Sequence, residues 1–223
     1  MSQSKLIVEG QADTLFFEAL IEKEQLSIEI EPRYGVTKIP TLLSRLFKNL
    51  QDGTLKHLGI VADADYTTPK GIGGFNNRWQ QLTQPLKEMG YEITAPPSQK
   101  SVGNIFTHDD GLPPVGLWIM PDHQNDGMLE DLIKQTVYGQ EQLTLLQMVT
   151  TCLNQLPVTL FKPHHHTKAS VYTWLAWQKR PGQALVSTIN ADLINRQSPE
   201  MQAFIGWLRG VFTEENTFGT CDA

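Results

Sequence analysis

Cysteine is nearly absent from this chain, with only Cys152 and Cys221 in 223 residues. The two lie far apart without metal-ligand spacing, which argues against a disulfide framework and for a reducing compartment. Long apolar runs are missing as well. A bilayer-spanning helix needs about 20 such residues, and none is present, so no membrane partner is expected. Met1-Ser2-Gln3-Ser4-Lys5 leads straight into a strand-like run without a signal peptide's apolar region, and the location expected is cytoplasmic. Basic excess is lacking too: 18 Lys and Arg against 24 Asp and Glu leave a net charge of −6. That argues against broad attraction to nucleic acid. It leaves room for a local basic face, because acids gathered round a cation lower the total. No internal repeat or low-complexity segment occurs.

What is present is an ordinary globular composition, 40% hydrophobic and 19% charged, with a clear alternation of elements. Lys5 to Glu9 reads as a buried strand. A helix follows over 12–24 with Leu15, Phe16, Ala19 and Leu20 at helical spacing. Ile28 and Ile30 alternate with acids in an edge-type strand over 27–31. Residues 32–36 read as a turn, and Leu42, Leu43, Leu46 and Leu50 mark an amphipathic helix over 39–50. His57 to Ala62 is a central apolar strand, and 66–75 is a Gly/Thr/Pro loop. Helix 76–89 comes next, then an extended segment from Gly90 and a strand over 115–120. Gly127 opens another helix. Strands alternating with helices predict an α/β fold, a mostly parallel Rossmann-like sheet flanked by helices over 1–140. Helices over 142–155, 167–178 and 199–212, jointed at Pro157, Pro163 and Pro181, predict a helical extension over 141–213 packed on the sheet. Residues 214–223 read as a tail.

Each strong strand stops at carboxylates: Glu9 with Asp13, Asp63 with Asp65, and Asp122 ahead of Glu130 and Asp131. In a parallel sheet the strand C-termini share one edge, where open α/β sheets place their ligand sites. Carboxylates a few ångströms apart raise one another's pKa unless a cation relieves them. Mg²⁺, a hard ion taking oxygen ligands, fits such a set, with Mn²⁺ as a substitute. Phosphoryl-transfer enzymes use this arrangement.

Val8-Glu9-Gly10 followed by Asp13, and an apolar strand ending in Asp63-Ala64-Asp65, resemble the Toprim domain. Topoisomerases, bacterial-type primases, recombination proteins and the OLD-family nucleases share that domain. The Glu-x-x-x-Asp spacing and Gly127-Met128-Leu129-Glu130-Asp131 resemble the OLD-type branch more than the topoisomerases. Gly116-Leu117-Trp118-Ile119-Met120-Pro121-Asp122, with Lys168-Ala169 and Trp174-Leu175-Ala176, resembles a family of small stand-alone bacterial Toprim-like proteins over most of the chain. The general Toprim resemblance covers about residues 5–135.

The resemblance implies a Toprim fold in which Glu9 is a metal ligand or the general acid/base. It further implies that Asp63 and Asp65 hold Mg²⁺ and that Asp13 with Glu130 completes a second metal position. Asp122 and Asp131 are weaker members of that set, one of them a cap. Lys168 would set positive charge against the transition state. The chain has no OLD-type ATPase module, primase-type zinc segment or topoisomerase strand-passage domain. Strand passage and primer synthesis are therefore not expected. Three readings stay open: a Mg²⁺-dependent nuclease acting on DNA or RNA, a non-catalytic regulatory module working with a partner ATPase, and a small-molecule phosphotransferase or phosphatase. Among remaining features, His164-His165-His166 reads as a loop rather than a transition-metal site, and His123 as a loop histidine. Gly71-Ile72-Gly73-Gly74 lacks Walker or Rossmann spacing and reads as a lid beside Asp65. Lys38, Arg45, Lys48 and Lys56 read as a solvated face.

Overall fold

The computed structural model describes residues 3–32, 39–96 and 103–213. The turn expected at 33–36, Lys38, and the tail with Cys221 lie outside the described residues. Five strands form one sheet in the order β2 (Glu29–Pro32), β1 (Ser4–Val8), β3 (His57–Asp63), β5 (Val115–Met120) and β4 (Asn104–Phe106). All neighbours run parallel except the antiparallel edge pair of β4 and β5. This is the α/β class that the alternating pattern predicts. Helices α1 (Gln11–Lys23), α2 (Ile39–Gln51) and α3 (Phe75–Glu88) link the strands, and α4 (Leu129–Thr136) follows β5. The later helices are α5 (Gln140–Asn154), α6 (His166–Ala176), the short α7 (Ser187–Asn190) and α8 (Pro199–Phe212).

The pleat divides the core in two. On one face Leu6, Val8, Val61, Trp118 and Met120 pack with α1, α4, α5, α6 and α8. On the other, Ile7, Leu58, Ile60, Leu117 and Ile119 pack with α2 and α3. Trp118, Trp174 and Trp207 are buried core residues, as their apolar context predicts. Three details differ from expectation. Leu15 is 42% exposed, because helix α1 turns the adjacent Phe16 and Phe17 inward instead. The segment after Gly90 makes a single bridge, Tyr91 to His108, rather than a strand. Strand β4, three residues long, carried too short a pattern to be foreseen.

Two strand glycines explain how α8 reaches the sheet. Gly59 and Gly116 are register partners on β3 and β5. A Cβ on Gly116 would stand 2.4 Å from Val211 Cγ2 and 3.0 Å from Trp207, and one on Gly59 would stand 2.8 Å from the Phe212 ring. Strand glycines commonly mark such close approaches, and here they form the floor on which the last helix lies.

His123 is fully buried and both ring nitrogens are used. Nδ1 accepts the Ile119 N–H at 2.8 Å, so Nε2 carries the proton and donates to Asn104 Oδ1 at 2.8 Å. Burial outweighs the neighbouring Asp122 charge and pulls its pKa down to about 3. His123 is thus a structural pin between β5 and β4.

Two outcomes follow from this packing. Gly116→Ala should lower the urea midpoint, by about 1–3 kcal/mol of overpacking, with an unchanged m-value; a wild-type midpoint would refute the close approach. Because the folded pKa of His123 is depressed, the unfolded chain binds its proton first as pH falls below about 6.5. His123→Phe, which leaves the Ile119 N–H and Asn104 Oδ1 without their ring partner, should be less stable than wild type at pH 7. The gap should narrow by up to about 1.4 kcal/mol per pH unit toward pH 4, and a gap independent of pH would contradict the neutral pin.

Candidate functional site: a carboxylate edge

Strand β1 is flanked by β2 and β3, while α1 covers one face and α2 the other. The chain therefore changes direction between β1 and β3, the topological switch point where such sheets leave a crevice at their strand C-termini. Glu9 follows β1 directly, and Asp63 is the last residue of β3. The Asp63 N–H donates to Glu9 Oε2 at 3.3 Å, and Asp63 Oδ1 accepts the Leu129 N–H at 2.9 Å. Leu129 opens α4, so a helix N-terminus, with its unsatisfied N–H groups, faces this acid.

Asp13 and Glu130 complete the group. Asp13 lies in the first turn of α1, half-buried, and accepts a backbone bond from Gly10. Burial first, then the charges of Glu130 and Glu9, push the Asp13 carboxyl up to about 6, against the pull of Lys168 and the Gly10 N–H. Burial and the charges of Asp13, Glu9 and Glu130 hold Asp63 well above the usual carboxylate range, despite the Leu129 bond. Glu130 is buried at 2% exposure and pairs with Lys168 Nζ at 3.3 Å. Burial alone would lower the Lys168 pKa, but Glu130 and Asp63 outweigh it and the net shift is upward. Lys168 is in the first turn of α6, so the fourth side of the edge comes from a helix beyond the sheet.

Other expected members sit elsewhere. Asp65, in the left-handed region at φ 58°, is held by the buried Arg78, whose guanidinium donates to Asp65 Oδ2 at 2.7 Å and to the Asp63 carbonyl at 2.6 Å. Its carboxylate is thereby balanced by a cation of its own. Asp122 accepts the Gln124 and Asn125 N–H groups and the Asn125 amide, closing its own turn. Asp131 accepts the Met128 N–H at 2.9 Å, capping α4, and the Tyr66 hydroxyl at 2.6 Å. The loop expected as a lid is tied down. Asp126 accepts from the Thr67 N–H, the Thr67 hydroxyl and the Phe75 N–H, while Asn77 donates to the Gly71 and Gly73 carbonyls. Among the described residues, no three His, Cys, Asp or Glu side chains stand close enough to hold a metal ion as placed; this includes His164, His165 and His166.

Arg78, Asp126 and Tyr172 were not foreseen as site residues. Tyr172 feels the charges of Glu130, Lys168 and Asp13, and its i, i+4 spacing from Lys168 on one helix was a usable signal. Arg78 and Asp126 carried no such spacing to the site, because their partners there, Asp63 and Asp65 for one and Thr67 and Phe75 for the other, lie well away in sequence.

Fold and site together define an α/β protein whose mostly parallel sheet ends in a half-buried acidic edge. Residues 3–213 match the family described as "Protein of unknown function (DUF3226)", and the chain belongs to it. Comparison with curated proteins and with solved structures gives no match. Among the described residues no helix is long and apolar enough to cross a membrane.

A carboxyl whose folded pKa is raised lowers stability as pH climbs from its unfolded value toward its folded one. Asp13→Asn, which retains an oxygen for the Gly10 N–H, should therefore melt higher than wild type at pH 7–8, by a few degrees for a gain on the order of 1 kcal/mol. That advantage should shrink as pH falls below about 6 and disappear only below the unfolded value of 3.8, toward about pH 2–3, where folded and unfolded Asp13 are protonated alike. Equal melting temperatures at pH 8 would show that the carboxylates do not strain one another.

Proposed function

We propose that this protein is a Toprim-like, divalent-cation-dependent phosphoryl-transfer protein, most simply a hydrolase of DNA or RNA phosphodiesters. The observation that carries this reading is the gathering of Glu9, Asp13, Asp63 and Glu130 at the switch point against one lysine. The donor set fits a hard cation in kind: every group is a carboxyl oxygen, and burial and mutual charge raise the pKa of Asp13 and Asp63, a strain that a bound cation would relieve. Glu9, Asp13, Asp63 and Glu130 would hold Mg²⁺ or Mn²⁺ after drawing inward from their present positions. A bound cation would supply charge neutralisation and Lewis-acid polarisation of a phosphoryl oxygen. The chain's own groups supply the rest. Glu9, beside Asp63, would take a proton from an attacking water as its oxygen bonds to phosphorus and the P–O ester bond breaks, and would return that proton to the departing ester oxygen, which leaves as an alcohol. Lys168 brings positive charge toward the oxygens that gain it. Arg78 fixes the end of β3, so that Asp63 and Asp65 diverge rather than compete.

The fact that the four acids already have protein partners, and do not close on one point as placed, favours a second reading: a non-catalytic module that binds nucleic acid or serves a partner ATPase. One experiment separates the two. The full chain is titrated with Mn²⁺ by calorimetry and incubated with DNA, RNA and nucleotides, alongside Asp63→Ala. The hydrolase reading expects Mn²⁺ binding and cleavage, with a loss of at least about 100-fold in the variant, the scale of removing one electrostatic group from such a site. Cleavage untouched by Asp63→Ala would overturn the mechanism, and Mn²⁺ binding without turnover on any substrate would favour the module.

A further inference from the structure

Beside the acidic edge lies a cleft of about 550 Å³, within the range of small-ligand sites, about 300–1,000 Å³. One wall is the loop immediately after Asp65, with Tyr66, Thr68 and Pro69; the other is the segment immediately before Lys168, with Pro163, His164 and His166. The lining is mostly apolar, and five of these six side chains are flat rings or proline faces. Tyr66 is fixed in place, since its hydroxyl donates to Asp131 Oδ1 at 2.6 Å and lies 3.3 Å from Thr167 Oγ1. Asp131 is itself locked by the Met128 N–H. That wall is thus preorganised, and burial with the Asp131 contact pushes the Tyr66 hydroxyl up to about 12, so it stays a neutral donor at physiological pH.

The placement has a consequence. Each wall is joined in sequence to the acidic edge, one beginning three residues after Asp63 at the end of β3 and the other ending just before Lys168, which pairs with Glu130. A ligand whose flat part fills the cleft would carry its attached polar part toward that edge. Aromatic, imidazole and proline faces stack on a nucleobase irrespective of its hydrogen-bonding edge, as in single-strand binding sites. Thr68, whose Oγ1 accepts the Ile72 N–H at 3.1 Å, keeps its hydroxyl proton for the base edge. A base within a duplex offers no free face, so an occupant must be unpaired or turned out of the stack.

We propose that this cleft is a nucleobase subsite that takes one unpaired base and directs its phosphate to the carboxylate edge. The choice of a nucleobase over other flat rings rests on reading that edge as a phosphate-processing site.

Equilibrium dialysis on the full chain, with Mn²⁺ present, tests it using AMP, CMP and ribose 5-phosphate. At least one nucleotide should bind 10-fold or more tightly than ribose 5-phosphate. Thr68→Trp, which fills the cleft, and the pair His164→Ala/His166→Ala, which strips one wall, should each erase that preference. Both should leave the ribose 5-phosphate and Mn²⁺ affinities unchanged. A single-stranded oligonucleotide should displace the nucleotide, and a blunt duplex of the same sequence should not. Ribose 5-phosphate binding as tightly as both nucleotides, a preference that survives both variants, or equal competition by duplex would each overturn the subsite. Mn²⁺ binding with no base preference rejects the cleft alone. A base preference lost in these variants but present without any Mn²⁺ binding supports the cleft and counts against the metal reading of the edge.

Discussion

Like charge held at close quarters is the constraint around which this molecule is arranged. Glu9, Asp13, Asp63 and Glu130 are brought together by three different strand-to-helix connections, and Lys168 is the cation paired within the group. A sheet of parallel strands makes the convergence unavoidable, since every strand in it delivers its C-terminus to the same edge. Burial then magnifies the repulsion, because it removes the water that would screen it. The structure answers with groups aimed inward: the Leu129 N–H at the start of α4, the Gly10 N–H at the start of α1, and the Lys168 ammonium. Helix N-termini are suited to this task, having unsatisfied donors and a positive dipole end. What remains unrelieved is the destabilisation that functional sites commonly carry.

The two layers over the sheet serve that edge unequally. Helix α2 covers one face with aliphatic side chains, and α3 adds Phe75, Trp79, Leu82 and Leu86 together with one buried cation, Arg78. The other face carries α1, α4 and α6, which hold Asp13, Glu130 and Lys168, while α8 seals the same core. The matched glycines of β3 and β5 let α8 lie close, so that Trp207, Val211 and Phe212 rest on the strand backbone. The C-terminal helices share one continuous apolar cluster with the strands that carry Glu9 and Asp63. Lys168 is positioned through that shared core, by the packing of Val171, Trp174 and Leu175 on the same helix.

Polar ties hold the loops around the crevice. Arg78 reaches back from α3 to the Asp63 carbonyl and the Asp65 carboxylate, so the bend after β3 is anchored by a buried guanidinium. Asp126, from the loop after β5, accepts two bonds from Thr67 in the loop after β3 and one from the Phe75 N–H at the start of α3. Burial would raise its pKa, but the Phe75 and Thr67 bonds outweigh that and hold it below the ordinary carboxylate value. Tyr66 and Asp131 make a second link, between the β3 loop and α4. These ties make the glycine-rich loop a folded wall rather than a free flap.

Periodicity and strand-end punctuation by themselves determined the α/β class, the helix pattern and the candidacy of Glu9, Asp13, Asp63 and Glu130. Those features are local: a β-branched run, a helical stripe and an acid after each strand are read within a dozen residues. Lys168 entered through resemblance, and only the packing of α6 against α4 shows which acid it faces. The separation of Asp65 and Asp122 from the four was decided by tertiary structure. Asp65 and Asp63 are two residues apart, but Arg78 draws one of them away, and nothing near Arg78 in the chain announces its partners. Asp122 satisfies its oxygens within its own turn, a matter of backbone geometry that composition does not encode. The β4 strand, the His123 pin and the cleft between Tyr66 and His166 arise from segments distant in sequence, and they exist only once the chain has folded around the sheet.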